Sequence, residues 1–313
     1  MVDYSNNDSN WERKTLEKLA FAAIDEQRRS RRWGIFFKLL GFLYLFALLM
    51  IGMDWIGSDK VAKQEHTALI DIQGIIGPGA DVNAESVVSS LQSAFTNKRT
   101  KGLILRINSP GGSPVQTGII NDEIKRLRTL HPEIPVYAVV EDICASGGYY
   151  IAAAADAIYV DKASIVGSIG VLMDGFGFTG TMEKLGIDRR LLTAGENKAM
   201  LDPFSPPNEK HQQYAQNLLD EVHQQFISVV REGRGDRLKD NPEIFSGLFW
   251  TGEASIRMGL ADGFGSSDYV AREVIKAEHI VDFTEREDFA SRFAKRLGAT
   301  LINQLSFGSL QLH

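Results

Sequence analysis

Hydrophobic and polar positions divide the chain into one apolar run near the N-terminus and a longer region of mixed patterns. Residues 34–53 are apolar except for Lys38. A helix of about 20 residues rises about 30 Å, which matches the hydrocarbon core of a bilayer. The pattern therefore predicts a transmembrane anchor over residues 34–53, preceded by a cytoplasmic, amphipathic segment over residues 1–33 and followed by a linker over residues 54–66.

The charges that flank this run predict its orientation. Four arginines directly precede it, namely Arg28, Arg29, Arg31 and Arg32, whereas acidic and basic residues are mixed after it. The positive-inside rule then places the N-terminus in the cytoplasm and the remainder of the chain outside. A cleaved signal peptide and a buried soluble helix are the alternatives. The long charged region, and the lack of a small-x-small cleavage site after Met53, favour a retained anchor.

Strand-like and helix-like patterns alternate from about residue 67 onward. The predicted strands cover residues 68–72, 102–107, 136–140, 157–160 and 168–172. The predicted helices cover residues 83–94, 117–130, 147–155 and 208–230. This alternation is typical of an α/β fold with parallel strands. We expect one domain over residues 67–270 and a C-terminal segment over residues 271–313, which is amphipathic from Phe289 and contacts a partner, a membrane or its own domain.

Composition excludes several classes of protein. The net charge is −6, and no nucleic-acid motif is present, so a basic nucleic-acid face is not expected. Cys144 is the single cysteine, which rules out an intramolecular disulfide and the zinc patterns that need two cysteines.

Two glycine-bearing segments are candidates for chemistry. Gly111 and Gly112 follow a predicted strand, where backbone N–H groups can turn towards a developing oxyanion. By itself, a Pro-Gly-Gly segment is more often a simple turn. Ser146, followed by Gly147 and Gly148, stands at a strand-to-helix transition, where a serine is either a helix cap or an exposed nucleophile. The local sequence favours the cap.

Lys198 is the third candidate, because a lysine that loses its hydration becomes a neutral general base. By itself, Lys198 is more typical of a solvated surface charge. None of the six histidines stands in a triad motif, which weakens a Ser-His-Asp mechanism without excluding it. Residues 175–180 match the glycine pattern of dinucleotide sites, but the helix predicted after them is too short for that fold.

Taken together, these segments resemble the signal peptide peptidase A family of membrane serine proteases. The motifs that carry the resemblance cover residues 105–112, 145–152, 166–171 and 197–200. The resemblance implies a fold like Clp protease and crotonase, built from repeated ββα units. It implies a serine endopeptidase with a Ser-Lys dyad and no metal or nucleotide cofactor.

The resemblance also assigns a role to each candidate residue. Ser146 is the nucleophile and Lys198 is the general base, while the hydroxyl of Ser168 orients the lysine amine. The N–H groups of Gly147 and Gly112 form the oxyanion hole. Glu196 and Asn197 differ from what many members carry before the lysine, which affects the substrate preference and leaves the catalytic groups in place.

The family's short members, with one repeat, imply a homo-oligomeric ring in which neighbours share the sites. The implied substrates are extracytoplasmic peptides, such as cleaved signal peptides or membrane-protein fragments, and the implied location is the bacterial inner membrane with a periplasmic catalytic domain. Two alternatives remain, a catalytically silent membrane scaffold and a crotonase-type acyl-CoA enzyme. The outward topology argues against the latter, because CoA is a cytoplasmic cofactor.

Overall fold

The computed structural model describes residues 8–52 and 64–285, which belong to two separate compact units. Within the first unit, helix α1 (Asp8–Gly52) is continuous through both the predicted amphipathic segment and the predicted anchor. Residues 15–50 of α1 include a window with a mean hydropathy of 2.0 and no buried side chains. By length and composition alone, this helix is long and apolar enough to cross a membrane.

The second unit is built on a mostly parallel sheet. Its strands are β1 (His66–Gln73), β2 (Thr100–Ser109), β3 (Val136–Ala145), β4 (Ala157–Val160), β5 (Ile165–Gly167), β6 (Phe249–Thr251), β7 (Gly263–Phe264) and β8 (Ile280–Asp282). Its helices are α2 (Ala84–Thr96), α3 (Pro114–Leu130), α4 (Gly147–Ala152), α5 (Thr179–Lys184), α6 (Glu209–Arg234), α7 (Gly252–Arg257) and α8 (Ser267–Tyr269). Two 3-10 turns (Gly235–Arg237 and Pro242–Phe245) follow α6, and a π-helical turn (Val270–Ile275) continues α8. The α/β prediction is confirmed.

Strand β3 is the branch point of the sheet. The main path runs β6-β5-β3-β2-β1-β8, and only β5 and β6 pair antiparallel. The first half of β3 pairs with β4, and its last three residues, Ile143–Ala145, pair with β5. The end of β3 therefore lies between β2 and β5, and the residues that follow these strands meet at one edge of the sheet.

Both faces of the sheet are covered. One face carries the larger core, in which Ile70, Leu105 and Val140 pack with α2, α3, α4 and α6. The opposite face packs Leu69 and Ile104 against the helical segment that begins at Ser267. Because successive strand residues point to opposite faces, the near-continuous apolar runs of β1 and β2 follow from burial on both sides.

Two asparagines cap the starts of helices. The side chain of Asn83 accepts a hydrogen bond of 3.0 Å from the Ser86 N–H at the start of α2. Asn208 accepts one of 2.9 Å from the Lys210 N–H at the start of α6. Such caps satisfy backbone donors that have no partner within the helix.

The predicted strand over residues 168–172 is wrong. Strand β5 occupies Ile165–Gly167 instead, and the chain then leaves the sheet. Gly167 and Ser168 have φ values of 119° and 52°, which turn the backbone out of the extended conformation. The alternating side chains of residues 168–172 resemble a strand, but these backbone angles prevent one.

The C-terminal part of the domain adds β8 to the sheet edge beside β1. The Phe283 N–H donates to the Leu69 carbonyl oxygen at 2.8 Å, which extends the pairing at this edge. The predicted amphipathic segment from Phe289 lies outside the described residues, as does most of the predicted linker over residues 54–66.

Candidate active site

The turn between β3 and α4 holds Ser146 in an unusual backbone conformation. Its φ is 51° and its ψ is −121°, a combination that residues other than glycine rarely adopt. A hydrogen bond of 2.8 Å from the Ser146 N–H to the Gly167 carbonyl oxygen fixes the turn. A sharp strand-to-helix turn of this kind exposes the serine Oγ in hydrolases.

The hydroxyl of Ser146 does not cap α4. Ser146 occupies the N-cap position, yet its side chain accepts no hydrogen bond from the start of the helix. The N-cap side chains of Asn83, Ser113 and Asn208 all accept such bonds in the same domain. The capping interpretation, which the local sequence favours, is therefore wrong, and the Ser146 Oγ is available to a substrate.

A glycine loop after β2 approaches the Ser146 turn closely. Gly111 and Gly112 have φ values of 103° and 152°, which glycine adopts without steric cost. A Cβ on Gly111 would lie 2.7 Å from the Gly147 nitrogen and 2.8 Å from the Ser146 Cβ. A Cβ on Gly112 would overlap the Ile76 carbonyl oxygen. The loop can take this position only because both residues are glycine.

The backbone N–H groups of Gly112 and Gly147 lie beside this turn. A Cβ built on Gly147 would lie 3.2 Å from the Gly112 nitrogen, so the two backbones are close neighbours. Within residues 64–285, no hydrogen bond uses either N–H as its donor. Gly147 is the first residue of α4, where an N–H has no acceptor inside the helix. Two free donors beside a serine can stabilise an oxyanion.

Buried Ser109 holds the glycine loop in place. Its hydroxyl donates to the Gly74 carbonyl oxygen at 2.6 Å and accepts from the Gly111 N–H at 3.1 Å. Ile76 adds two backbone bonds, accepting from the Ser113 N–H at 2.8 Å and donating to the Gly111 carbonyl oxygen at 2.9 Å. The loop is therefore preorganised before any ligand binds.

Four of the five predicted site residues line one cavity of about 730 Å³. They are Gly112, Ser146, Gly147 and Ser168. Its apolar wall includes Tyr150, Val171, Leu172, Val222 and Phe226. Among the described residues that line it, there is no aspartate, glutamate, lysine or arginine. The cavity thus suits an uncharged, partly apolar segment of a ligand.

Tyr150 lines this cavity as a neutral phenol. Burial raises the pKa of its hydroxyl, and the carboxylates of Asp122 and Glu232 raise it further. Its ring lies 5.0 Å from the Phe226 ring, centroid to centroid, so the two aromatics form a continuous part of the wall.

Ser168 belongs to a short segment that we call the strap, residues 167–170. The strap begins at Gly167, the last residue of β5, and contributes Ser168 and Gly170 to the cavity lining. The Ser168 N–H donates to the Leu248 carbonyl oxygen at 2.7 Å. With a φ of 52°, Ser168 has the same rare left-handed φ as Ser146. The structure therefore brings the predicted orienting hydroxyl to the cavity that contains Ser146.

Lys198 does not join this cavity within one chain. It is exposed, in a run of turns over residues 194–201, and its N–H donates to the Gly195 carbonyl oxygen at 3.1 Å. The adjacent Asn197 is tied to the start of α6 through a bond of 3.1 Å between its Oδ1 and the His211 Nε2. Four candidates are thus assembled together, and the fifth lies apart from them.

Several cavity residues carry no sequence motif. Thr117 comes from α3, His223 and Gln225 come from α6, and Ser246 comes from the turn before β6. The only available signal was the apolar stripe of α6, which contains Val222 and Phe226 beside His223. Such a stripe indicates which face of a helix is buried and does not reveal that the face borders a cavity.

The glycine pattern over residues 175–180 does not lie at this cavity. Gly175 and Gly177 instead line a separate pocket with the turn around Asp202. Helix α5, which follows them, has six residues. That length is too short for the crossover helix of a dinucleotide-binding unit.

A family model described as peptidase family S49 matches residues 128–281. This range includes Ser146, Ser168 and Lys198, while the glycine loop at Gly112 precedes it.

Similarity to individual proteins extends over more of the chain. A protein of Enterococcus faecium named for signal peptide peptidase SppA is 30% identical over 234 residues, which cover 72% of this chain and 67% of that protein. A protease of Methanocaldococcus jannaschii is 31% identical over 241 residues, covering 75% of this chain and 76% of its own.

A third relative is much longer than this chain. A protein of Brucella abortus named Na(+)/H(+) antiporter NhaA is 46% identical over 209 residues, or 65% of this chain. The matched part spans 28% of that antiporter.

Proposed function

The chain belongs to peptidase family S49, and from this we propose that it is a membrane-anchored serine endopeptidase with Ser146 as nucleophile and Lys198 as general base. The observation that carries the proposal is the Ser146 hydroxyl. It makes no capping bond, sits on a left-handed turn and shares a cavity with two free backbone donors.

The reaction begins when neutral Lys198 accepts the hydroxyl proton and the Ser146 Oγ attacks the peptide carbonyl carbon. The carbonyl oxygen becomes negatively charged and is bound by the N–H groups of Gly112 and Gly147. As the carbon–nitrogen bond breaks, the Lys198 ammonium returns a proton to the leaving amine. Water then attacks the acyl-enzyme with the lysine again accepting a proton, which releases the acid and restores Ser146.

Lys198 must lose most of its hydration to act as a base near neutral pH, because burial favours the uncharged amine. Lys198 is exposed within a single chain. The proposal therefore includes a second copy, so that Lys198 of one subunit reaches Ser146 and Ser168 of its neighbour.

Exposed apolar side chains in the segment that precedes Lys198 in the chain support this assembly. Leu172, Phe176 and Leu192 are 80%, 77% and 97% exposed. Apolar residues concentrated on one exposed segment are typical of interfaces between proteins. A ring of copies would cover this segment and bring the separated catalytic groups together.

The proposed substrates are extracytoplasmic peptides with apolar segments, such as cleaved signal peptides or membrane-protein fragments. The uncharged cavity with its apolar wall supports this choice. The Enterococcus relative, named for a signal peptide peptidase, supports it as well.

The apolar part of helix α1 and the arginines that precede it within the helix support an anchor in the bacterial inner membrane, with the catalytic domain on the periplasmic side. The antiporter-named relative, which contains a matching segment, is in keeping with a membrane setting.

The test compares purified full-length wild type with Ser146→Ala and Lys198→Ala on casein and on an unstructured apolar peptide, from pH 6 to pH 10. Loss of the nucleophile or the base should lower kcat by about 10⁴-fold or more. Matched controls are Ser228→Ala and Lys210→Ala, which change exposed residues of the same types on α6 and should keep wild-type activity.

Two results would contradict the proposal. Equal cleavage by wild type and Ser146→Ala would assign the activity to another site or another protein. No cleavage by any folded sample, together with no labelling of Ser146 by a fluorophosphonate, would favour a silent scaffold instead.

A further inference from the structure

His223 of α6 lies in the wall of the Ser146 cavity and contacts the strap. Its Nε2 is 3.1 Å from the Ile169 carbonyl oxygen. A carbonyl oxygen can only accept, so the Nε2 carries the proton in this bond whether the ring is neutral or charged. Ile169 is fully buried and stands between Ser168 and Gly170. His223 thus holds the carbonyl of the residue that directly follows the predicted orienting serine.

Besides an internal bond of 3.0 Å from the Gly170 N–H to the Ser168 carbonyl oxygen, the other backbone bonds of the strap outside the sheet run to other segments. Gly167 accepts from the Ser146 N–H, and Ser168 donates to Leu248 before β6. Across residues 64–285, the bond from His223 is the only side-chain hydrogen bond that the strap receives. It is therefore the direct polar link between the strap and α6.

Close packing limits the strap at both of its ends. A Cβ on Gly167 would lie 2.8 Å from atoms of the Trp250 ring, and one on Gly170 would lie 3.1 Å from the Gly247 Cα. Between these ends, the bonds to Leu248 and His223 hold Ser168 and Ile169. Loss of the bond to His223 therefore frees the middle of the strap, directly beside Ser168.

We propose that His223 is a positioning residue of the peptidase, which fixes Ser168 through the Ile169 carbonyl and so sets the direction of the Lys198 amine. This inference rests on the proposed function. His223 does not act as the base for Ser146, because its Nε2 proton is committed to Ile169. In addition, no carboxylate orients its Nδ1 among the residues that the structure describes, as a triad would require.

The experiment uses three substitutions of His223 in the full-length protein. His223→Leu and His223→Met remove the donor and keep an apolar side chain of useful size. His223→Gln supplies an amide N–H close to the position of the Nε2. The matched control is His279→Leu, the same change at an exposed histidine outside the cavity.

The readouts are kcat and KM on an unstructured apolar peptide, the rate of Ser146 labelling by a fluorophosphonate, and the thermal unfolding temperature. Loss of a group that positions others should lower kcat and the labelling rate by about tenfold or more in His223→Leu and His223→Met. KM should change less, because the apolar wall is intact. His223→Gln should recover most of the lost rate, and His279→Leu should match wild type.

Either of two outcomes would overturn the proposal: wild-type kcat in a folded donor-free variant, or a His223→Gln variant as slow as His223→Met. If His223→Leu does not fold, the kcat values of His223→Gln and His223→Met are compared instead, and their difference decides whether the donor matters. Ser146→Ala in the same assay separates this failure from that of the proposed function. Activity that survives Ser146→Ala rejects the proposed function itself. Activity that requires Ser146 but is unchanged by the His223 substitutions rejects only the positioning role.

Discussion

Two serines with positive φ angles, Ser146 and Ser168, lie at the candidate site. Among the described residues, four that are not glycine have a positive φ, and two of them, Ser146 and Ser168, line the same cavity. Each such conformation costs about 1–3 kcal/mol and persists only where the surroundings enforce it. Here the enforcing contacts are the bonds from Ser146 to Gly167 and from Ser168 to Leu248. Both strained serines are thereby placed in the lining of one cavity.

Gly147→Ala should disable the proposed oxyanion hole while leaving the nucleophile intact. The new Cβ would lie 2.6 Å from the Thr117 Cγ2 and 3.2 Å from the Gly112 nitrogen, which forces the two donors apart. Loss of such a donor lowers kcat by about 10²–10³-fold. Steady-state kinetics on a peptide substrate measure the change.

A second substitution tests whether this clash is the cause. Thr117→Ser removes the methyl group nearest to the new Cβ, so the double variant with Gly147→Ala should recover part of the lost kcat. Gly118→Ala is the control, because a Cβ there meets nothing within 4 Å. Wild-type kcat in Gly147→Ala would remove Gly147 from the proposed site.

At the scale of elements, a buried ion pair joins α6 to the segment between α7 and β7. The side chain of Arg234 is fully buried and donates to both carboxylate oxygens of Asp262, at 2.8 and 2.9 Å. Asp262 also accepts from the Ile158 N–H at 2.7 Å. Burial acts to raise the pKa of the Asp262 carboxyl, but Arg234 and this N–H outweigh it, and the pKa lies below its ordinary value. Helix α6, which supplies one wall of the cavity, is held at its C-terminal end by this pair.

Asp262→Asn should lower the free energy of unfolding by about 3 kcal/mol at pH 7, because Arg234 would be left buried without its counter-charge. A carboxyl with a lowered pKa stabilises the fold above its unfolded value of about 3.9, and this contribution is lost as the pH falls through the folded value. Denaturant unfolding of both proteins should therefore show a difference that shrinks below about pH 4.

The control for this pair is Glu253→Gln. Glu253 and Arg257 form an ion pair of 2.8 Å in which both side chains are more than half exposed. Breaking it should cost less than about 1 kcal/mol. An Asp262→Asn variant as stable as this control at pH 7 would show that the buried pair does not anchor α6.

Predictability from the sequence differed between the elements and the site. Periodicity located most helices and strands. The motif residues Gly112, Ser146 and Ser168 line one cavity, while their catalytic roles stay a prediction. The strand over residues 168–172 was mispredicted, because backbone angles at Gly167 and Ser168 override an alternating pattern. The sequence alone could not identify His223 as a cavity residue. Its position depends on where α6 packs against the sheet, and no local sequence pattern encodes that packing.

At the scale of the whole molecule, one chain does not bring all of the proposed catalytic groups together. Ser146 and Ser168 line the cavity, while Lys198 lies exposed in an apolar segment. Rings of identical subunits repeat one interface around an axis, so each gap left by one copy is filled by the next. If the proposed ring forms, activity should depend on assembly and should be lost on dilution to single chains.

Mixing two inactive variants tests for shared sites. If each site takes Ser146 from one copy and Lys198 from its neighbour, equal amounts of Ser146→Ala and Lys198→Ala copies, coexpressed, should recover about a quarter of wild-type activity by random pairing. Peptide cleavage by the purified mixture measures the recovery.

The control for mixing replaces one partner with the doubly substituted chain, Ser146→Ala with Lys198→Ala, and should give no activity. If the mixture of single variants is equally inactive while rings still form, the dyad is completed within one chain.

The buried single cysteine has a practical consequence for mapping such contacts. Cys144 has no exposed surface, and burial raises the pKa of its thiol, so it stays protonated and out of reach of maleimides in the folded protein. The native chain thus already behaves as a cysteine-free background for surface chemistry. A single cysteine introduced near Lys198 and another on a neighbouring copy would cross-link or carry a spectroscopic label without interference from the wild-type sequence.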